Sequence, residues 1–226
     1  KHIEDICKIT KDLDLKWSSC MRIDTMDNKD IVKKIEDSGC EYLLFGIESG
    51  SEKIMKYINK QQNLSTIKRG VANIADTIII PMYSFMFGFP KETKEDVLVS
   101  FDLVDYILKV DPKATFMFQI YTPYPGTPLY NDALKYGFKP PKKLDDWANY
   151  VMDEVNAPWV KDKKLLRNLF ITSVLAFRSE QLVNTFLVYP LHKIAVLRWK
   201  HRYFNLCFER FLYDLIKKFY GFLYSN

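Results

Sequence analysis

The stretch G-C-E-Y-L-L-F-G-I-E-S-G-S (39–51) decides the fold of this chain. Residues 41–47 form an almost continuous apolar run, which is typical of a parallel strand covered on both faces. Ser49 and Glu52 follow with the S-x-x-E spacing of a capping box, so a helix is predicted to begin directly after the strand. A buried strand followed at once by a helix is the unit from which parallel α/β sheets are built.

The same alternation of strands and helices continues on both sides of this stretch. Strands are predicted at 17–23, 41–47, 82–88 and 114–121, and helices at 1–13, 28–38, 64–75 and 94–109. This order predicts βαβ units in a parallel sheet, which is either open or curled into a barrel. Four strands do not close a barrel and leave two bare edges, so further strands are expected before Lys1. The chain is therefore interpreted as a C-terminal fragment.

The composition predicts a folded protein. Apolar residues make up 48% of the chain and charged residues 27%, which argues against disorder and against a membrane-spanning class. No stretch approaches the roughly 18 apolar residues of a spanning helix. None of the four cysteines lies within four residues of another, so a disulfide framework is not expected and a cytoplasmic location is predicted.

The alternation stops near residue 137, and the sequence predicts three segments: barrel at 1–137, linker at 138–160 and a helical extension at 161–226. Within the extension, helices are predicted at 161–189 and 191–224, with Pro190 as a break between them.

The whole net charge of +5 lies in residues 190–226, where seven Lys and Arg face two acids. Three interpretations of this basic, aromatic tail stay open. The tail is a helix docked on the barrel with its charges in solvent, a basic amphipathic helix at a membrane surface, or a nucleic-acid contact. The balanced charge of residues 1–189 makes nucleic acid the least favoured partner.

Ligands of parallel α/β proteins bind where the carboxyl ends of the strands converge. Polar or flexible residues follow each predicted strand: Arg22, Glu48 with Ser49, the segment 87–93 and the segment 121–130. Each also has a purely structural explanation. Arg22 suits pairing with an inward acid, Glu48 is stabilised at a helix N-terminus, and the glycines suit turns.

Taken together, the motifs of the chain resemble those of radical S-adenosylmethionine (SAM) enzymes, most of all the branch that often carries an N-terminal cobalamin-binding domain. The resemblance covers about residues 15–150 and consists of W-x4-R-I-D (17–24), G-C-x5-G-I-E-S-G-S (39–51), I-N-K (58–60), M-x-G-F-P-x-E-T (86–93) and Y-T-P-Y-P-G-T-P-L-Y (121–130). It implies an α/β fold, namely strands three to six of a (β/α)6 TIM-like barrel, followed by the α-helical extension.

The resemblance also implies which residues contact SAM. Glu48 and Lys60 match a polar residue and a basic residue twelve positions apart that bind SAM in such enzymes. Glu48 is expected to accept hydrogen bonds from the ribose or the ammonium group, and Lys60 to pair with the carboxylate. The remaining candidates for cofactor binding are Arg22, Ser49, Phe87, Gly88, Tyr121 and Pro123. No catalytic residue or metal ligand is predicted within the chain.

One motif of the family has no counterpart in this sequence. A CxxxCxxC loop holds the 4Fe–4S cluster through three thiolates, and Cys7, Cys20, Cys40 and Cys207 do not form such a loop. The fragment by itself is therefore expected to be inactive.

The resemblance implies a parent enzyme that generates a 5′-deoxyadenosyl radical from SAM, with cobalamin-dependent methyl transfer as one version of the chemistry. Its expected partners are a small-molecule or lipid-like substrate, the missing barrel half with its cobalamin-binding domain, and a membrane surface at the tail. The alternative is a non-catalytic binding module or a decayed fragment. A phosphate-using barrel enzyme is disfavoured, because no glycine-rich phosphate loop follows any predicted strand.

Overall fold

The structure is a computed structural model that describes residues 2–150, 155–177, 188–205, 207, 211–212 and 215. The chain divides into two compact units, 1–117 and 118–226. The predicted division at 137 and 160 differs from this boundary and remains a prediction.

The first unit alternates strands with helices in the predicted order. Its elements are α1 (His2–Asp12), β1 (Trp17–Met21), a 3-10 helix (Ile23–Asp27), α2 (Lys29–Asp37), β2 (Cys40–Glu48), α3 (Glu52–Tyr57), α4 (Leu64–Ala75), β3 (Ile80–Phe87), α5 (Lys94–Val110) and β4 (Thr115–Ile120), the last of which crosses into the second unit. The strands form one parallel sheet in the order β1-β2-β3-β4. The α/β prediction is confirmed, and four parallel strands joined by helices are consistent with the predicted part of a barrel.

The core of the first unit lies on one face of this sheet. In β2, Leu43, Phe45 and Ile47 are completely buried, and Phe45 stacks on Tyr83 of β3 with ring centroids 5.6 Å apart. Burying side chains of this size stabilises the fold by about 1.5–3 kcal/mol each. The alternate residues of β2, Leu44, Gly46 and Glu48, are only half-buried. The sequence predicted that both faces are fully covered, but the described residues cover one face fully and leave the other accessible.

The helix starts follow from local side-chain chemistry, with one correction. Asn28 and Thr93 cap α2 and α5, and Thr93 forms a capping box with Asp96. The prediction that Ser49 caps α3 was wrong, because the cap is Ser51, whose hydroxyl accepts from the Ile54 N–H. The Ser49 hydroxyl is instead occupied by contacts outside the helix.

The second unit is helical after β4. It contains α6 (Tyr130–Lys135), a 3-10 helix (Asp145–Asn149), α7 (Lys163–Ala176) and α8 (Val188–Lys200). Pro190 was predicted to break the helices but lies in the first turn of α8, where its missing N–H removes no intrahelical hydrogen bond. The predicted helices also extend over 178–187 and most of 206–224, which lie outside the described residues. No helix in the described part is both long and apolar enough to cross a membrane.

Candidate functional site

A half-buried ion pair lies at the carboxyl end of β2. Lys60 Nζ donates to Glu48 Oε1 over 3.1 Å, and the two side chains are 19% and 22% exposed. Both groups are screened less by water than surface charges are, yet both can be reached from solvent. The structure therefore brings together the two residues that the sequence singled out for SAM.

The backbone of Glu48 is bent to present its carboxylate. Its φ of +67° lies in the left-handed region, which costs a non-glycine residue about 1–2 kcal/mol. The pairing register of β2 with β3 shifts between Gly46 and Glu48, and the Ser49 N–H donates to the Ile47 carbonyl over 2.9 Å. Backbone strain of this kind persists only where surrounding contacts hold it, and it concentrates at functional sites.

Gly46 provides the space that the ion pair occupies. A Cβ atom at this position would overlap Glu48 Oε1 and lie 2.9 Å from Lys60 Nζ. Gly46 and Glu48 share a face of β2 because side chains alternate along a strand. Because Gly46 has no side chain, the charged ends of Glu48 and Lys60 fit into the space above it, which we call the cradle of Gly46.

A buried polar network holds the loop after Glu48 against α5. The Gly50 N–H donates to Ser100 Oγ over 2.8 Å, and the hydroxyls of Ser49 and Ser100 are 3.3 Å apart. Ser49 Oγ also accepts from the Ser51 N–H over 3.1 Å. The Ser49 hydroxyl therefore serves the loop, and its predicted role in ligand binding remains a prediction.

Asp96 extends this network to the start of α5. Its carboxylate accepts from the Ser51 hydroxyl over 2.7 Å, from the Thr93 N–H over 2.9 Å and from the Lys53 ammonium. Burial by itself would raise the pKa of Asp96, but the bonds from Lys53 and Ser51 outweigh burial and lower it. Asp96 is thus a charged anchor that fixes the β2–α3 loop.

Arg22 holds the segment that carries Lys60. Its guanidinium pairs with Asp24 at 2.7 Å and donates to the carbonyls of Lys60 and Gln61 over 3.3 and 3.2 Å. The hydrogen bonds from Arg22 lower the pKa of Asp24. The structure gives Arg22 a positioning contact with Lys60, and a direct contact between Arg22 and a ligand remains a prediction.

The end of β3 is built around a buried carboxyl group. Phe87 is buried and meets Phe101 edge-on, with ring centroids 5.6 Å apart. Gly88, with a φ of +85°, follows the strand, and its N–H donates to Glu92. Burial raises the pKa of Glu92 to about 8. Phe87 and Gly88 thus lie at the predicted strand end, and their role in cofactor binding remains a prediction.

Tyr121 and Pro123 belong to the second unit, where both are buried. The Tyr121 ring lies 6.1 Å from that of Trp159, and burial raises the pKa of its hydroxyl to about 12. Their role in cofactor binding remains a prediction.

Sequence reasoning missed Gly46, Asp96 and Ser100 as site-forming residues. Ser100 lies on the buried side of α5, between Val97 and Phe101. A serine in such an apolar stripe could have indicated that its hydroxyl has a buried partner. Gly46 lies two residues before Glu48, which places both on one face of a strand. No local pattern indicated that Asp96 reaches beyond its own helix.

Comparisons with known proteins point to one family. Residues 1–104 match the model of the radical SAM superfamily. An uncharacterized methyltransferase of Pyrococcus horikoshii is 33% identical over 126 residues, which is 54% of this chain and 26% of that protein. Bacteriochlorophyllide d C-8(2)-methyltransferase of Chlorobaculum tepidum is 28% identical over 66% of this chain and 32% of its own length.

A third relative acts on RNA by name. The tRNA-2-methylthio-N(6)-dimethylallyladenosine synthase of a Thermoanaerobacter species is 36% identical over 42% of this chain and 20% of that protein. The matched segments therefore span only a fifth to a third of these relatives.

Proposed function

We propose that the chain belongs to the radical SAM superfamily, whose model residues 1–104 match, and that it supplies the SAM-binding side of an enzyme of that superfamily. The observation that supports this proposal is the half-buried Glu48–Lys60 pair beside the cradle of Gly46. The pair lies at the carboxyl end of a parallel strand, where ligands of such folds bind.

The amino-acid part of SAM carries an ammonium and a carboxylate, so it can replace each partner of the ion pair. The Glu48 carboxylate would accept from the ammonium or from ribose hydroxyls, while the Lys60 ammonium would pair with the carboxylate. Each protein charge then keeps an opposite charge beside it, and neither is left alone in a half-buried site. A lysine acts as a point charge rather than a two-pronged clamp, so the orientation of the carboxylate depends on its neighbours.

For the whole protein we propose radical chemistry that ends in transfer of a methyl or methylthio group, as the names of the relatives suggest. The superfamily implies SAM and a 4Fe–4S cluster, and the cluster would supply the electron for reductive cleavage of SAM. Cobalamin dependence is proposed from the resemblance to the cobalamin-binding branch.

The residues of this chain do not fit the iron–sulfur cluster. The four cysteines are scattered along the sequence, and no metal-binding group of three or more His, Cys, Asp or Glu occurs in the described residues. Burial raises the pKa of Cys40 to about 12, so its thiol stays protonated and is a poor ligand. What this chain can contribute is binding and orientation of SAM.

SAM affinity of single variants tests the site. The variants are made in a protein that includes the cluster loop, and their SAM affinity is measured by calorimetry. Glu48→Ala and Lys60→Ala each remove a charged hydrogen bond to SAM. We expect each to cost about 1.5–3 kcal/mol of binding free energy, or roughly 10- to 150-fold in SAM affinity. Glu52→Ala and Lys56→Ala change exposed residues of neighbouring α3 and are the matched controls. Unchanged affinity in both site variants, with iron content intact, would exclude this site.

The second candidate is a binding module without catalysis. The coding sequence upstream of Lys1 separates the two candidates, since a CxxxCxxC motif there supports the enzyme and a start codon at Lys1 supports the module.

A further inference from the structure

Helix α8 of the second unit has a buried face that attaches it to α7. Leu191, Ala195 and Trp199 recur at intervals of four and are buried. The Trp199 ring meets Phe177 edge-on, with centroids 4.6 Å apart, and the His192 Nδ1–H donates to the Leu175 carbonyl over 3.0 Å. These contacts set the rotation of α8 about its axis and so determine which residues face outward.

The outward face of α8 exposes large apolar side chains. Tyr189, Ile194 and Leu197 are 50%, 45% and 58% exposed. Lys193 and Lys200 lie among them, because positions 189, 193, 197 and 200 follow the helical repeat. An ordinary surface helix carries polar residues on this side. We call Tyr189, Lys193, Ile194, Leu197 and Lys200 the outer face of α8.

Within the described segments of α7 and α8, positive charge predominates. Residues 188–205 contain four Lys and Arg and no Asp or Glu, and Asp162 is the sole acid in 161–177. The Lys193 ammonium lies over the Tyr189 ring, 5.3 Å from its centroid. A tyrosine ring with a long cationic side chain is typical of groups at a water–lipid boundary.

We propose that the outer face of α8 binds the surface of an anionic lipid bilayer. Ile194 and Leu197 would enter the boundary between headgroups and acyl chains, while Lys193 and Lys200 would extend to the lipid phosphates. A second copy of the chain fits less well, because it would bring two acid-free basic faces together. Nucleic acid would neutralise the lysines but leave the aliphatic side chains without bases to stack on, since stacking needs aromatic rings.

Vesicle sedimentation of the full chain tests the proposal. We expect binding to vesicles of equal parts phosphatidylcholine and phosphatidylglycerol, weak binding to phosphatidylcholine alone, and loss of binding near 1 M salt, where the screening length falls to about 3 Å. Each lysine near an anionic surface accounts for roughly a fivefold change in affinity, so Lys193→Gln with Lys200→Gln should weaken binding about 30-fold. Ile194→Gln with Leu197→Gln should also weaken binding to the anionic vesicles at low salt, because it removes the aliphatic side chains that enter the boundary.

Matched controls keep the test specific. Lys8→Gln with Lys11→Gln removes two exposed charges from α1, and Ile78→Gln removes an apolar side chain that is 77% exposed. Both should bind vesicles like the parent chain, and thermal unfolding should show that all variants fold. The proposal would be overturned if the chain bound neutral vesicles as well as anionic ones, or if the control variants lost as much vesicle binding as the α8 variants. It would also be overturned if the outer face of α8 bound RNA or a second copy of the chain and did not bind vesicles.

Discussion

Replacing Ser100 by alanine tests whether the buried network holds the Glu48 loop. The Ser100 hydroxyl is buried, accepts from the Gly50 N–H over 2.8 Å and lies 3.3 Å from the Ser49 hydroxyl. Ser100→Ala leaves the Gly50 N–H without this acceptor in a place that water does not reach. A buried donor left without its acceptor costs about 1–3 kcal/mol, so the free energy of unfolding should fall by that amount.

The local effect is measurable at the Gly50 amide. If opening of the loop controls its hydrogen exchange, a loss of 1–3 kcal/mol corresponds to roughly 5- to 150-fold faster exchange. Urea denaturation gives the global value. Ser65→Ala in α4 is the control, because that hydroxyl is exposed and bonds only to nearby Asn63. Its effect should stay within about 0.5 kcal/mol.

Two results would refute the reasoning. Equal unfolding free energies and equal Gly50 exchange in Ser100→Ala and Ser65→Ala would show that the network does not hold the loop. The second result is that Ser100→Ala destabilises the protein but leaves its SAM affinity unchanged, whereas Glu48→Ala weakens SAM affinity. This would show that the loop does not position Glu48.

Three further substitutions test the site. Gly46→Ala should weaken SAM binding but lower the free energy of unfolding in urea by less than about 1 kcal/mol, because its Cβ meets the movable ends of Glu48 and Lys60. Unchanged SAM binding would count against the cradle. Gly50→Ala should instead cost about 1–3 kcal/mol, because its Cβ would lie 2.7 Å from the Ser100 Cα, a backbone atom that cannot swing away; wild-type stability would contradict this packing. Burial raises the pKa of Glu92 from 4.5 to about 8, so the folded chain keeps a proton that the unfolded chain releases, and the free energy of unfolding should fall between those pH values. Glu92→Gln should flatten that fall in urea titrations, and an equal slope in both proteins would show that Glu92 does not cause it.

The sequence by itself determined most of the helices and strands of the first unit. The helix predicted at 64–75 was found at Leu64–Ala75, and the helices predicted at 28–38 and 94–109 were found at Lys29–Asp37 and Lys94–Val110. These features depend on groups within a few residues of each other, so a local pattern contains the needed information. Glu48 and Lys60 were chosen on other grounds, because their spacing of twelve residues matches the resemblance to radical SAM enzymes.

Only the tertiary structure decided how those residues are held. Ser49 has the local spacing of a cap, but Ser100, 51 residues away, takes its hydroxyl, and Ser51 becomes the cap instead. Arg22 reaches the carbonyl of Lys60, 38 residues later in the chain. Such choices depend on which distant groups packing brings within hydrogen-bond reach, because a buried polar atom bonds to the best-placed partner wherever it lies in the sequence.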